Sequence, residues 1–127
     1  PGSAAARKVL AEVDVDLMLL ESDLESALLS LILDAGLPRP VLQHPLQLDG
    51  RRYRIDMAYP ERMIAIEADG FVVHSGRSTF EDDRSRQNAL SLSGWKVLRF
   101  TWRQVCTRPE WVVAQICEAL DRPVPRR

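Results

Sequence analysis

The segment RIDMAYPERMIAIEADG, residues 54–70, decides how this chain reads. It predicts two short strands joined by a turn around Tyr59–Pro60–Glu61–Arg62. Side chains alternate faces along a strand, so Ile64, Ile66 and Ala68 share one face and Met63, Ala65, Glu67 and Asp69 the other. On the first strand Tyr53, Ile55 and Met57 oppose Arg52, Arg54 and Asp56. With the apolar faces packed inward, Asp56 and Glu67 project on the same side of the hairpin. Asp69 follows one strand repeat further, roughly 6.5–7 Å along the strand.

Acids inside apolar strands need a cause, because a buried, unpaired carboxylate is costly. Converging carboxylates repel one another unless a cation or a proton lies between them. A hard divalent cation such as Mg²⁺ prefers this oxygen set. The plainer alternative makes Asp56 the start of a loop and leaves Glu67 and Asp69 at a frayed strand end, since charged side chains are mostly exposed. The whole arrangement, with Gly70 and His74 following, favours a metal or catalytic site. Without metal, repulsion in such a cluster is expected to destabilise the fold. Glu67→Gln or Asp56→Asn should then melt no lower than the parent.

Working outward, the 127 residues suit one domain with a modest core. Pro1–Gly2–Ser3 reads as a cloning remnant and the rest as a piece of a longer protein. Neither a signal peptide nor a membrane-length apolar run is present, so a cytoplasmic location is expected. Cys106 and Cys117 lack clustered His or Cys partners, which fits reduced thiols rather than a zinc site. The net charge of −1 gives no broad positive field for nucleic acid, while leaving room for a local basic groove. The cations are nearly all Arg; Lys8 and Lys96 are the only lysines.

Residues 4–21 carry Leu10, Val13, Leu17 and Leu20 at helical spacing and predict an N-terminal helix. Ser22–Asp23–Leu24–Glu25 has the pattern of a capping box and predicts a second helix, stopped by Gly36 and Pro38. Glu25 is then either the capping acid or a remote carboxylate of the acidic site, and the two roles are compatible. Val41–Leu48 reads as a strand, with Pro45 marking an edge or bulge, and Asp49–Gly50 as a hairpin turn. His74–Ser75–Gly76 reads as a loop.

Ser78 or Thr79 is expected to cap a helix to about Ser93, with Phe80, Ala89, Leu90 and Leu92 on its apolar side. Arg84, Arg86 and Gln87 on that helix either hold phosphate or belong to a solvated face paired with Asp82 and Asp83. Trp95–Trp102 predicts a strand and Pro109–Leu120 a closing helix, before a Pro- and Arg-rich tail over 122–127. The main domain is therefore placed at 22–121. Its order, α–β–β–β–α–β–α, predicts an α/β fold with helices covering a mixed four-stranded sheet.

The αβββαβ order, with an acid in the second strand and Glu in the third, resembles the PD-(D/E)XK nuclease superfamily and its restriction-endonuclease-like fold. The match is most similar to domains related to very-short-patch repair endonucleases. It is carried by Ser22–Leu24–Glu25, Arg54–Ile55–Asp56, Ile66–Glu67–Ala68–Asp69–Gly70 with His74, Phe80–Arg86 and Gly94–Phe100. The resemblance implies Mg²⁺, or Mn²⁺ in its place, bound by Asp56, Glu67 and the main-chain carbonyl of Ala68, with Glu25 acting through water. It implies DNA as the substrate and a larger protein as the setting. Ile55 stands where the superfamily has Pro, and Asp69 where it usually has Lys. An ionised Asp cannot donate a hydrogen bond to water or phosphate. His74 is the substitute that the resemblance implies. The competing expectation, favoured by the missing Lys and the net charge, is a nuclease fold that no longer cuts and serves as a DNA-binding or docking module. A purely structural domain is the third.

Overall fold

Asp49 and Gly50 both take left-handed backbone, φ +52° and +75°, and close the turn between β1 (Val41–Leu48) and β2 (Arg51–Tyr59). A two-residue turn with both φ values positive matches the twist of the strands it joins. The computed structural model describes residues 14–69 and 77–124. Before this hairpin comes α1 (Asp14–Asp34). After it follow a 3-10 turn (Pro60–Arg62), β3 (Ile64–Asp69), α2 (Arg77–Leu92), β4 (Lys96–Thr101), α3 (Trp102–Thr107) and α4 (Pro109–Leu120). The sheet order is β1-β2-β3-β4, antiparallel except for the parallel β3–β4 pair. This is the expected mixed four-stranded sheet, and Pro45 lies on its edge strand, where the missing N–H does least harm.

The sheet has a core on each side. Leu24, Leu28 and Ile32 of α1, Val105 of α3, and Val112, Ile116 and Leu120 of α4 pack with Met57, Tyr59, Ile64, Ile66 and Phe100. A smaller cluster on the α2 side joins Ile55, Ala58, Ala65, Leu90 and Trp95. Ile55 and Met57, two residues apart, thus belong to opposite sides, which strict alternation forbids. The break falls at Asp56. Across from it Gln43 has φ +50°, and the β1–β2 register passes from Leu42↔Met57 to His44↔Ile55 without a Gln43–Asp56 pair. The face assignment made from alternation for Ile55 is corrected here.

Two helices start at residues other than those their capping signals predict. The helix runs unbroken through Ser22, so Ser22–Glu25 is not a capping box. Serine inside a helix costs only about 0.5 kcal/mol relative to alanine, less than burying the Leu24–Leu28–Ile32 stripe returns. Residues 4–13 of the expected N-terminal helix, like 1–3 and 125–127, lie outside the described residues. Gly36 does end the helix, at φ +78°, with Leu37 N–H donating to the Ile32 carbonyl at 3.2 Å. The next helix begins at Arg77, which puts Ser78 and Thr79 inside it rather than at its cap. Leu92, expected on its apolar side, is 89 % exposed.

The last strand stops at Thr101, which caps α3: its hydroxyl accepts from Gln104 N–H at 3.1 Å, and Gln104 Oε1 accepts from Thr101 N–H at 3.0 Å. That reciprocal capping turns Trp102 out of the strand. Cys106 is exposed and Cys117 buried, both free thiols. Among the described residues no helix is long and apolar enough to cross a membrane.

Tyr59 fastens the sheet to the end of α1, its hydroxyl donating to the Pro38 carbonyl at 2.7 Å. Burial pushes the phenol up to about 12 from its ordinary 10.0. Because the folded value is the higher, this stabilisation is whole below pH 10 and is lost as pH rises toward 12. Tyr59→Phe should cost about 1 kcal/mol near neutrality through the lost hydrogen bond. It should also flatten the alkaline decline, which urea unfolding across that pH range would register.

Candidate active site

The two central strands pair only from Met57↔Ile66 to Tyr59↔Ile64. Beyond that, β3 stays with β4 as far as Asp69↔Thr101, while β2 stays with β1. Asp56 and Glu67 are the first residues past the point where β2 and β3 part. Asp56 bridges the gap, its Oδ2 accepting the Ala68 N–H at 3.0 Å in place of a ladder bond. In a strand the N–H and C=O of one residue point to the same edge, so the Ala68 carbonyl also faces β2.

Glu67 is the buried charged residue of the described part, only 4 % exposed. Arg86, rising from α2, grips it from both sides: Nη1 donates to Oε1 at 2.7 Å and Nη2 to Oε2 at 2.6 Å. The same Nη2 donates to the Arg54 carbonyl at 2.8 Å, tying the β1–β2 hairpin to the site. Bidentate charge-assisted pairs of this kind are the strong ones. Burial alone would lower the Arg86 pKa. The hydrogen bond and charge of Glu67, joined by the charges of Asp56 and Asp83, instead raise it above its ordinary value. The guanidinium therefore stays charged. Beside it Arg99, opposite Glu67 on β4, donates to Asp83 at 3.2 Å and to Gln87 Oε1 at 3.1 Å.

Several expected site residues are placed differently. Asp69 is exposed at the end of β3. Glu25 Oε1 accepts at 3.5 Å from Nε2 of Gln43, the β1 residue across from Asp56. Among the described residues no three His, Cys, Asp or Glu side chains gather to hold a metal. Of the expected acids, Asp56 and Glu67 are the two that stand where β2 and β3 part. Repulsion is also not the state of Glu67, whose cation is Arg86; the expectation that Glu67→Gln melts no lower is withdrawn. His74 and Gly70 lie outside the described residues. Arg84 is exposed on α2, whereas Arg86 and Gln87 turn toward the sheet and pair with Glu67 and Arg99 rather than with Asp82 or Asp83.

Arg86 as the counter-ion of Glu67, and Arg99 as the anchor of α2, went unread in the sequence. The signal was the spacing Asp83, Arg86, Gln87, Leu90, one stripe of a helix at i, i+3, i+4 and i+7. Because three of its four members are polar, it does not look like an inward face.

A divalent cation fits the remaining chemistry. Two carboxylates and a carbonyl oxygen form a hard donor set, and the guanidinium marks where positive charge is demanded. Both Glu67 oxygens are engaged by Arg86, so a metal ion would take over at least one of them.

A mixed four-stranded sheet between helices, with an Asp/Glu pair where its central strands part, is a restriction-endonuclease-like α/β architecture. The solved catalytic domain of the homing endonuclease I-Bth0305I shares this fold, with a TM-score of 0.59 over 76 % of this chain and 92 % of that domain at 16 % identity. The profile of the restriction-endonuclease-like family REase_MTES_1575 matches residues 42–120, and the chain belongs to that family. The matched span includes Asp56, Glu67, Arg86 and Arg99 but not Glu25. Two uncharacterized proteins of Mycobacterium tuberculosis, MT2308 of strain CDC 1551 / Oshkosh and Rv2248 of strain ATCC 25618 / H37Rv, are each 32 % identical over 122 residues. Those alignments cover 95 % of this chain and 44 % of the relatives, so the chain spans less than half of their length.

Proposed function

We propose that this chain is a metal-dependent endonuclease domain that hydrolyses phosphodiester bonds in DNA. We place it in the very-short-patch-repair-like branch, as one module of a larger cytoplasmic protein of repair, restriction or defence. The observation that carries the reading is the buried Glu67 beside Asp56 at the parting of β2 and β3. A carboxylate in that position needs a cation, and nuclease chemistry supplies a reason to keep one there.

Asp56, Glu67 and the Ala68 carbonyl would hold Mg²⁺, or Mn²⁺ in its place. When bound, the metal supplies water activation and relief of negative charge on the phosphate. The chain's own residues do the rest. The Ala68 N–H orients Asp56. Arg86 holds Glu67 in place, and its guanidinium, released from one carboxylate oxygen, would offer a donor to phosphate. Asp69 and Glu25 would act through water at the rim. His74 takes the role the missing Lys leaves open, as acid, base or phosphate contact. His74→Ala should slow cleavage roughly 10²–10⁴-fold with metal affinity nearly unchanged. An undiminished rate removes His74 from the mechanism.

The second reading, a non-cutting DNA-binding or docking module, draws support from the bidentate Arg86 grip and from Asp69 at the Lys position. Incubating the protein with supercoiled and linear DNA in Mg²⁺ and in Mn²⁺ decides between them. Nicking or linearisation in either metal supports the nuclease; intact DNA in both leaves the module.

A further inference from the structure

The β1–β2 hairpin reaches beyond the sheet, because β2 pairs with β3 only over Met57–Tyr59 while its pairing with β1 continues to Leu48↔Arg51. The projecting ribbon has two unlike faces. On one, Leu46, Leu48 and Ile55 pack toward Trp95, and the His44 ring lies 6.2 Å from the Trp95 ring. The other presents Pro45, Gln47, Arg52 and Arg54, all exposed, in the cross-strand pairs Pro45↔Arg54 and Gln47↔Arg52. Arg51 is exposed beside the turn. Among the described residues none of these three guanidiniums is held in an ion pair, in contrast to Arg86 and Arg99.

Arg52 and Arg54 stand two residues apart, roughly 6.5–7 Å along the strand, and Asp56 follows them on β2 at the point where alternation breaks. The Arg54 carbonyl is itself bonded to Arg86. A chain with a net charge of −1 therefore places two cations outside any ion pair on one face of the ribbon, on the same strand as Asp56.

We infer that this face of the hairpin binds the phosphodiester backbone of nucleic acid and leads the strand toward Asp56 and Glu67, with Arg52 and Arg54 as the phosphate contacts. The inference rests on the nuclease reading for what lies at the end of the track, but the binding itself does not require cleavage. A ribbon anchored at one end and rigidified by Trp95 loses little freedom on binding. Arginine forks suit phosphate oxygens, and Gln47, opposite Arg52, adds a neutral donor.

The test measures binding in EDTA, where no metal-dependent cleavage interferes. Fluorescence anisotropy with a labelled DNA duplex is recorded from 50 to 200 mM salt for the parent, for Arg52→Gln/Arg54→Gln and for Arg52→Lys/Arg54→Lys. Losing two phosphate contacts should lower the slope of log affinity against log salt by about 1.8, so the parent's advantage shrinks roughly tenfold across that range. The Lys pair should keep most of the slope, because the charge is retained. Thermal melts of the exposed-site variants confirm that folding is intact, and each single Gln variant should lose about half of the effect.

An unchanged slope and affinity in the double Gln variant, or no DNA binding by the parent, overturns the inference. The same loss with an RNA duplex keeps the phosphate contact and widens the class of nucleic acid. Hairpin-dependent binding without cleavage in Mg²⁺ or Mn²⁺ keeps the inference and removes the nuclease. Cleavage with an undiminished slope does the reverse.

Discussion

Asp56→Ala and Glu67→Ala should each bring Mg²⁺-dependent DNA cleavage down to background, and the two losses should not add. Both residues are proposed to serve one metal ion, and groups acting as a unit lose nearly the whole effect when one is removed. Asp56→Asn is the milder form, since it keeps the volume and an oxygen near the Ala68 N–H while removing the charge. A rise in the Mg²⁺ needed for half-maximal cleavage, with Mn²⁺ restoring part of the rate, would identify the defect as metal binding. Substantial Mg²⁺-dependent cleavage by Glu67→Ala would remove Glu67 from the metal site, whatever its burial.

The second large effect concerns stability and needs no substrate. Arg86→Ala leaves Glu67 buried without its cation, and breaking a pair of this kind from one side costs about 3 kcal/mol. For a chain of this size the melting temperature should fall by roughly 10 °C in EDTA. Glu67→Gln should also melt below the parent, because Arg86 then loses its bidentate partner. Combining Arg86→Met with Glu67→Gln should recover part of the loss, since a neutral pair leaves no unmatched charge.

Metal links this result to the first. Mg²⁺ bound only by the folded protein raises its melting temperature by mass action. It should do so more strongly in Arg86→Ala, where the guanidinium no longer competes for Glu67. No metal response in either protein, with the Arg86→Ala loss intact, would make the Arg86–Glu67 pair a purely structural device.

Much of the architecture was legible from local chemistry. Asp49–Gly50, Pro45, Gly36, Pro109 and the apolar run at Ile64–Ala68 each have one dominant backbone preference, and each marked its element correctly. Capping signals were less dependable. Ser22–Glu25 and Thr101–Gln104 carry the same pattern, yet only the second caps a helix. The difference is tertiary: the leucine stripe of α1 is buried whether or not Ser22 starts a helix, whereas β4 must end where it runs out of the sheet beside Asp69.

The sequence by itself determined the order of the four strands with a helix between the last two, the mixed sheet, and Asp56 and Glu67 as the acids that need explaining. These follow from turn chemistry, from side-chain periodicity and from the cost of a carboxylate among apolar neighbours, all of which act within a few residues. Only the tertiary structure decided that Asp56 and Glu67 meet where β2 and β3 part, that Asp56 sits where alternation breaks, and that Arg86 supplies the compensating charge. Each of these depends on which strands stop pairing and how α2 lies across them. Arg86 and Glu67 are nineteen residues apart, and no local pattern reports that their side chains meet.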